Sequence, residues 1–441
     1  MLLDAISGDV TARLQAAIDR ASAARIQLTL GPGIHETRGL TLRSGTDLHL
    51  AEGAILKPAG DYDAYAQTRV DIIAEASDRA MLIAKRADNV SISGAGVIEA
   101  PGAAFITGEL ADMGTHVPAR LRPRVLVFDG CSGIRLSGIT IRQSPMWTLH
   151  LAGCRDVIIS GVTIDNDRRM PNTDGIVIDS CSGVEIRGAA IATADDGIVL
   201  KTSRRPSGAV LGPCRDVRVL DCHIESRSCA LKIGTESHAD FTDIAFRDCV
   251  IVRSNRALGL FSRDGGEISR VAFQRISVEC AETPDGFWGS GEAITVTALD
   301  RVAGRPAGLV RDLLFEDISG VMEGAINLVA EHQGGIADVV LRRVRLAQYP
   351  GRLGTGTRYD LRPTRFDLAP PAGAEGRANA YVKDAAGRVI GLVPYPGGMP
   401  ALYASGATRL ELESVEFERP SPLPSGWNAR AMEISETEPQ N

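Results

Sequence analysis

One short apolar–polar–apolar unit, preceded each time by a turn residue, recurs down most of the chain. Copies include NVSISGAGVIEA from Asn89, GIRLSGITIRQS from Gly133, DVIISGVTIDND from Asp156 and DIAFRDCVIVRS from Asp243, with later ones from Arg270, Asp312, Asp338 and Arg409. Measured at the first β residue, the steps from Ile134 to Val157, Val184, Val217, Ile244 and Val271 are 23, 27, 33, 27 and 27 residues. Repeats of this length mark a solenoid, and period-two alternation with β-branched residues makes each unit strands rather than helices. The expected fold is all-β, a parallel β-helix in which each coil stacks on the last. The longer gaps from Val271 to Leu313 and from Val339 to Leu410 read as loops inserted between coils. Length alone suggests two or three domains, but a solenoid extends one core by adding rungs, so a single domain over 1–441 is expected.

The ends have their own signals. Val10, Leu14, Ala17 and Ile18 share one helical face behind Asp9, which is able to cap it, so 1–30 reads as a capping helix and first strands over an otherwise open edge. Residues 350–398, rich in Gly, Pro and Arg, are long enough for a lid or flank rather than a linker. A late coil is expected over 407–420. No charged stretch followed by an apolar one precedes the helix, so a signal peptide is either absent or already removed, which leaves a cytoplasmic or a mature secreted or periplasmic form open.

Composition excludes some partners. A net charge of −7 with no basic stripe argues against nucleic acid. No run of about 18 apolar residues is present to span a membrane. Aromatics are only 5% of residues, as a narrow interior of Val, Ile and Leu requires. Cys131, Cys154, Cys181 and Cys214 each fall three residues before the first β residue of their coil, and Cys222 and Cys249 share a second phase, so they form ladders of small buried side chains and are expected as free thiols. No Cys/His cluster suggests a metal, and no cofactor is expected. A monomer or weak oligomer is expected.

Against this background two acidic segments stand out, Asn172-Thr173-Asp174-Gly175-Ile176-Val177 and Ala194-Asp195-Asp196-Gly197-Ile198-Val199, 22 residues apart. That spacing puts Asp174 and Asp196 on neighbouring turns with Asp195 beside them, three carboxylates at one exposed point. Such crowding is unfavourable unless the charges are used. The competing reading is that these Asp residues merely end turns, a duty that does not call for the doublet.

The stretch from Arg122 to Asp285 resembles glycoside hydrolase family 28, the polygalacturonase and rhamnogalacturonan hydrolase family. The resemblance rests on Arg-Pro-Arg at 122–124, Ser-Pro-Met-Trp-Thr-Leu-His at 144–150, Pro-Asn-Thr-Asp-Gly at 171–175 and Asp-Asp-Gly-Ile at 195–198. Ile-Gly-Thr-Glu-Ser at 233–237 and Arg-Asp-Gly-Gly at 263–266 belong to the same pattern. It implies a right-handed, pectin-lyase-like β-helix that hydrolyses a glycosidic bond in a pectin-type polysaccharide or oligosaccharide with inversion. Inverting hydrolysis uses two carboxyl groups roughly 6.5–9.5 Å apart, one donating a proton to the leaving oxygen and one activating water. The family pattern gives the proton to Asp195 and leaves Asp174 and Asp196 to hold the water.

Two departures matter. Coils aligned by their strands place Asp174, Asp196, Cys229 and Arg256 in one column, with Trp147 before them, so Ser228-Cys229-Ala230 stands where the family has Gly-His-Gly. Gly259-Leu260-Phe261 likewise replaces the Arg-Ile-Lys that grips a substrate carboxylate. Lys201, Lys232, Arg256 and Arg263 are candidate replacement cations, Lys232 being in the strand position of the lost arginine one coil earlier. Otherwise the scissile sugar is neutral or differently decorated. Asn172, next to the first acid, joins the candidate substrate contacts. Trp147 either stacks on a sugar face or packs between coils. Glu236 and His238 contact hydroxyls or are solvated turn residues, and Trp288, in the glycine-rich stretch Asp285–Glu292, lines a groove wall or packs between coils. Two other functional classes fit a β-helix: a polysaccharide lyase, which uses an Arg or Lys base and usually calcium, and a non-catalytic carbohydrate-binding solenoid.

Overall fold

The computed structural model describes residues 1–71, 77–110, 114–283, 288–301, 304–351, 357–362 and 384–435. The repeat dictates its architecture. Ile134, Val157, Val184, Val217, Ile244, Val271, Leu313, Val339 and Leu410, the first β residues of successive units, pair in register in one parallel column. The residue before each of them adopts a left-handed backbone, from Gly133 (φ 65°), Asp156 (56°) and Gly183 (66°) to Asp216, Asp243, Asp312 and Asp338. Gly and Asp tolerate this conformation, which explains the turn residue ahead of most copies. Arg270 takes the same position with its guanidinium 2.7 Å from Asp243 of the preceding coil.

The coils wind right-handed and, among the described residues, form two long parallel sheets, one of 21 strands and one of 12. The 12-stranded sheet carries the site. Its central rungs are Arg124–Asp129, Leu149–Ala152, Ile176–Asp179, Ile198–Thr202, Cys229–Ser237, Arg256–Ser262, Ile294–Ala298 and Ile326–Ala330. Alternation turns Ile176, Ile178, Ile198, Leu200, Leu231 and Ile233 inward, into one apolar cluster that runs from Leu3 to Ala407. Phe246, Phe273 and Phe315 stack in it with centroids 4.7 and 5.1 Å apart. All eight cysteines are buried free thiols, and the Cys131–Cys154–Cys181–Cys214 ladder continues into Phe241 on the next coil.

The helix at the amino end spans Thr11–Ala24 and buries Leu14, Ala17, Ile18 and Ala21 against the first coil, while Asp9 Oδ1 accepts from the Thr11 amide at 2.8 Å. No described helix is long and apolar enough to cross a membrane. In the 350–398 insertion, Arg358–Asp360 and Leu392–Pro394 form a short antiparallel pair. Its Tyr359 and Tyr395 pack on Tyr403, with centroids 5.1 and 5.6 Å from that ring. Residues 352–356 and 363–383 of the insertion lie outside the described residues. The late coil is the strand Ala407–Glu418.

Candidate active site

Ile176 pairs with Ile198 and Leu231 with Leu258, so the residues two positions earlier, Asp174, Asp196, Cys229 and Arg256, follow one another along the edge of the sheet. Trp147 precedes them through the Leu149–Ile176 pair and Glu292 follows through Leu258–Ile294. The glycine after each acid lets the coils close up. A Cβ on Gly175 would lie 2.5 Å from the Gly197 carbonyl oxygen, and one on Gly197 would lie 2.6 Å from that of Ala230.

Below this edge a layer of buried hydroxyls holds the acidic turn. Thr193 Oγ1 and Ser226 Oγ both donate to the Asp195 carbonyl, at 2.5 and 2.7 Å, and the Ala194 amide donates to Thr173 Oγ1 at 3.3 Å. Asn166 links the preceding coil, donating to Thr148 Oγ1 at 2.7 Å and accepting from the Ser144 amide at 3.0 Å. These groups leave only an alternation of Ser, Thr and Asn at coil ends in the sequence, a signal too weak to mark a site. Ser228 was noticed only as a departure from the family pattern, yet its Oγ donates to Asp196 Oδ1 at 2.9 Å.

The three carboxylates have different surroundings. Asp196 Oδ2 receives the Lys232 ammonium at 2.7 Å. Asp195 Oδ1 accepts the Asp196 amide at 3.0 Å. Burial, followed by repulsion from Asp195 and Asp196, pushes the Asp174 carboxyl well above its ordinary range, with Lys201 and Lys232 opposing the rise. The expectation of an exposed acidic patch is corrected here: Asp174, Asp195 and Asp196 are only 3, 7 and 2% exposed. They lie outside the apolar cluster, with the Lys232 ammonium and the Ser228 hydroxyl of the next coil on Asp196.

A second charged group adjoins the acids. The Lys201 ammonium donates to Glu236 Oε2 at 2.6 Å and lies 5.3 Å from the Trp147 ring centroid. Burial opposes the charge on Lys201, but Glu236, Asp174 and Asp196 hold its ammonium form above the usual range. Burial would likewise raise Glu236, but Lys201 and Arg301 outweigh it and hold the carboxylate far below its normal range. His238 accepts from Arg204 Nε at 3.3 Å and has Nε2 3.6 Å from Asp264, with burial pulling its imidazole down. Asn172 Oδ1 accepts from Arg122 Nη2 at 2.8 Å, and Arg122 also donates to the carbonyls of Pro145 and Pro171.

Trp147 is 6% exposed and packs with Met146 over Val177 and Val199 on the outer face of the sheet, its ring edge-on to His150 at 4.9 Å. Two of the candidate cations do not reach the acids. Arg256 lies in the predicted column but its Nη2 sits 2.9 Å from Asp360 Oδ2, a residue of the insertion. Arg263 is fully buried and donates to the carbonyls of Ser262, Thr297 and Leu361, and burial beside Arg301 and Arg256 pulls its guanidinium down to about 9. Trp288 lies under the Arg362 guanidinium, 5.5 Å from its centroid. Asp285, Gly286 and Phe287 lie outside the described residues. Among the described residues no group of three or more His, Cys, Asp or Glu is placed to hold a metal ion.

The sequence pattern of Glycosyl hydrolases family 28 matches residues 61–284, about half of the chain, and that span holds Asp174, Asp195 and Asp196. The chain belongs to this family. A probable polygalacturonase from Vitis vinifera is 31% identical over 175 residues, 38% of this chain and 35% of that protein. An exopolygalacturonase from Zea mays is 24% identical over 246 residues, 53% of this chain and 55% of that protein. The chain thus spans about a third to about half of the length of these curated relatives. The crystal structure of an exopolygalacturonase from Thermotoga maritima shares the fold, with a TM-score of 0.62 at 20% identity over 79% of this chain and 87% of that one.

Family membership makes the two departures chemically pointed. Where the Gly-His-Gly histidine is expected, Cys229 is buried with its thiol raised by burial and by Asp196. Where the carboxylate clamp is expected, Gly259 and Phe261 stand. Lys232 pairs in register with Gly259, and Phe261 is covered by three cations, with Lys232, Arg256 and Arg263 at 5.5, 5.0 and 5.8 Å from its ring centroid.

Proposed function

We propose that this family 28 protein hydrolyses a glycosidic bond in a pectin-type or related acidic or branched polysaccharide or oligosaccharide, with inversion at the anomeric carbon. The observation that carries the reading is the stacking of Asp174 and Asp196 on adjacent strands with Asp195 next to them. Neighbouring strands are about 4.8 Å apart, so Asp174 and Asp196 are near enough to hold one water between them. Asp195 protonates the leaving oxygen in this scheme, as the family pattern implies. Burial and repulsion from Asp195 and Asp196 raise the proton affinity of Asp174, and because the carboxyls interact, a proton taken up there is shared within the cluster. Lys232 places its ammonium 2.7 Å from Asp196 Oδ2 beside it.

Substrate contacts are supplied by the groups around the opening: Lys232, the Lys201–Glu236–Arg301 chain and His238, with Asn172 held in place by Arg122. Lys232 is the cation best placed to meet a sugar carboxylate in place of the missing clamp, because it alone among the candidate cations combines contact with the acids and partial exposure. The test is incubation with a panel of plant and microbial oligosaccharides, including galacturonan and rhamnogalacturonan fragments, read by reducing ends and by ultraviolet absorbance. New reducing ends without absorbance are expected. An absorbing, unsaturated product indicates a lyase, and turnover of nothing in the panel contradicts the enzyme reading.

A further inference from the structure

An enzyme that cuts the middle of a polysaccharide needs open floor on both sides of its acids. Here the outer face of the 12-stranded sheet is covered on both sides. Towards the amino end Val127, His150 and Ala152 are each fully buried, and towards the carboxyl end Phe261, Thr295 and Asn327 are 1, 1 and 2% exposed. Between these two covered stretches the Lys232 side chain, 14% exposed, is next to the acids and reaches solvent.

The covers are specific contacts. On the amino side the segment after Ile198–Thr202 folds back over three rungs. Its Ser203 amide donates to Asp179 Oδ1 at 2.8 Å, and Arg205 donates to Asp129 through both terminal nitrogens and to the Asp71 carbonyl at 2.6 Å. Asp129, Ala152, Asp179 and Lys201 are consecutive members of one outward column, so Arg205 bars that column three rungs before the lysine. Val70 closes over Ile83, Val127 and Ala152 beside it. On the carboxyl side the described ends of the 350–398 insertion do the same: Asp360 binds Arg256, the Leu361 carbonyl accepts from Arg263, and the Tyr395 hydroxyl donates to Asn327 Oδ1 at 2.9 Å.

We propose that the site is a dead-ended pocket that receives the terminus of a glycan, so that the enzyme releases small products from chain ends, and that the Arg205 bridge to Asp129 and Asp71 is the wall that limits product length. The proposal deepens the hydrolase reading and rests on it. The pocket takes a terminal sugar whose hydroxyls or carboxylate meet Lys232, Glu236 and Arg301, and the rest of the polymer leaves past Lys232, where the described residues leave the face open.

The test uses the whole chain and the polymer of the panel that gives most reducing ends, following viscosity and product size together. Small products from the first time point, with viscosity nearly unchanged while reducing ends accumulate, are expected. A viscosity collapse with mixed long products overturns the proposal and leaves hydrolysis standing, whereas no reducing ends from any substrate removes the hydrolase reading and the proposal with it. Arg205→Ala is expected to raise the share of longer products several-fold, and Arg205→Lys, which keeps a charge opposite Asp129, to stay near the parent pattern. An Arg205→Ala protein with parental circular dichroism and an unchanged product distribution would show that the wall is not Arg205.

Discussion

Asp174→Asn should make the protein more stable while it removes activity. The Asp174 carboxyl is 3% exposed and faces two other carboxylates, and its proton affinity is raised first by burial and then by Asp195 and Asp196. A carboxyl whose affinity is raised on folding favours the folded state below its unfolded pKa of about 3.9 and loses that contribution as pH rises through the folded value. The parent therefore carries a penalty at neutral pH that asparagine, which cannot ionise, does not. At about 1.4 kcal/mol per pH unit, over the roughly three units between the unfolded pKa and pH 7, the penalty has a ceiling of about 4 kcal/mol. With an unfolding entropy of about 2.1 cal/mol/K per residue, a chain this long gains about 1 °C per kcal/mol, so Tm rises by at most about 5 °C. Calorimetry of parent and variant at pH 7 and pH 4 checks this. The increment should be present at pH 7 and shrink to nearly nothing near pH 4, close to the unfolded pKa, where the folded parent is protonated and little remains to be gained by removing the charge. A variant less stable than the parent at pH 7, or an equal increment at both pH values, would refute the electrostatic reasoning.

Three other outcomes follow from the same contacts. Asp195→Asn should lower kcat by several orders of magnitude with oligosaccharide binding largely retained, measured by turnover and calorimetric titration; equal turnover to the parent would favour a binding solenoid. Lys232→Met removes a cation that lowers the Asp174 affinity for protons, so the acid limb of the kcat/KM profile should move to higher pH by about 1–3 units, and a limb that stays in place contradicts the assigned role. Asp360→Asn leaves the buried Arg256 without its closest carboxylate and should cost about 3–5 kcal/mol in denaturant unfolding, with faster tryptic cleavage in the 350–398 insertion.

Much of the coil register was legible because the chain repeats its own constraints. A left-handed turn residue and two alternating β residues recur in each unit, so aligning units aligned rungs, and the Asp174–Asp196–Cys229–Arg256 column emerged from sequence alone. What was not legible depends on partners without periodic spacing. Arg256 read as a substrate cation because nothing near it in sequence neutralises it; its partner Asp360 lies 104 residues on, inside a segment with no repeat. Arg263 reads as a substrate cation for a related reason, its guanidinium being absorbed by backbone carbonyls that carry no residue signature. The burial of the acids is not legible either, since the groups that meet Asp196, the Lys232 ammonium and the Ser228 hydroxyl, come from the next coil. Arg122 was visible in the Arg-Pro-Arg motif, but its hold on Asn172 spans 50 residues and needed the fold.

The account depends on one stacked edge of carboxylates performing a single displacement at the anomeric carbon. Proton nuclear magnetic resonance of the product, recorded before mutarotation, reads this directly. The new reducing end should first appear with the anomeric configuration opposite to that of the bond cleaved; first appearance with the same configuration would contradict the assignment of water to Asp174 and Asp196.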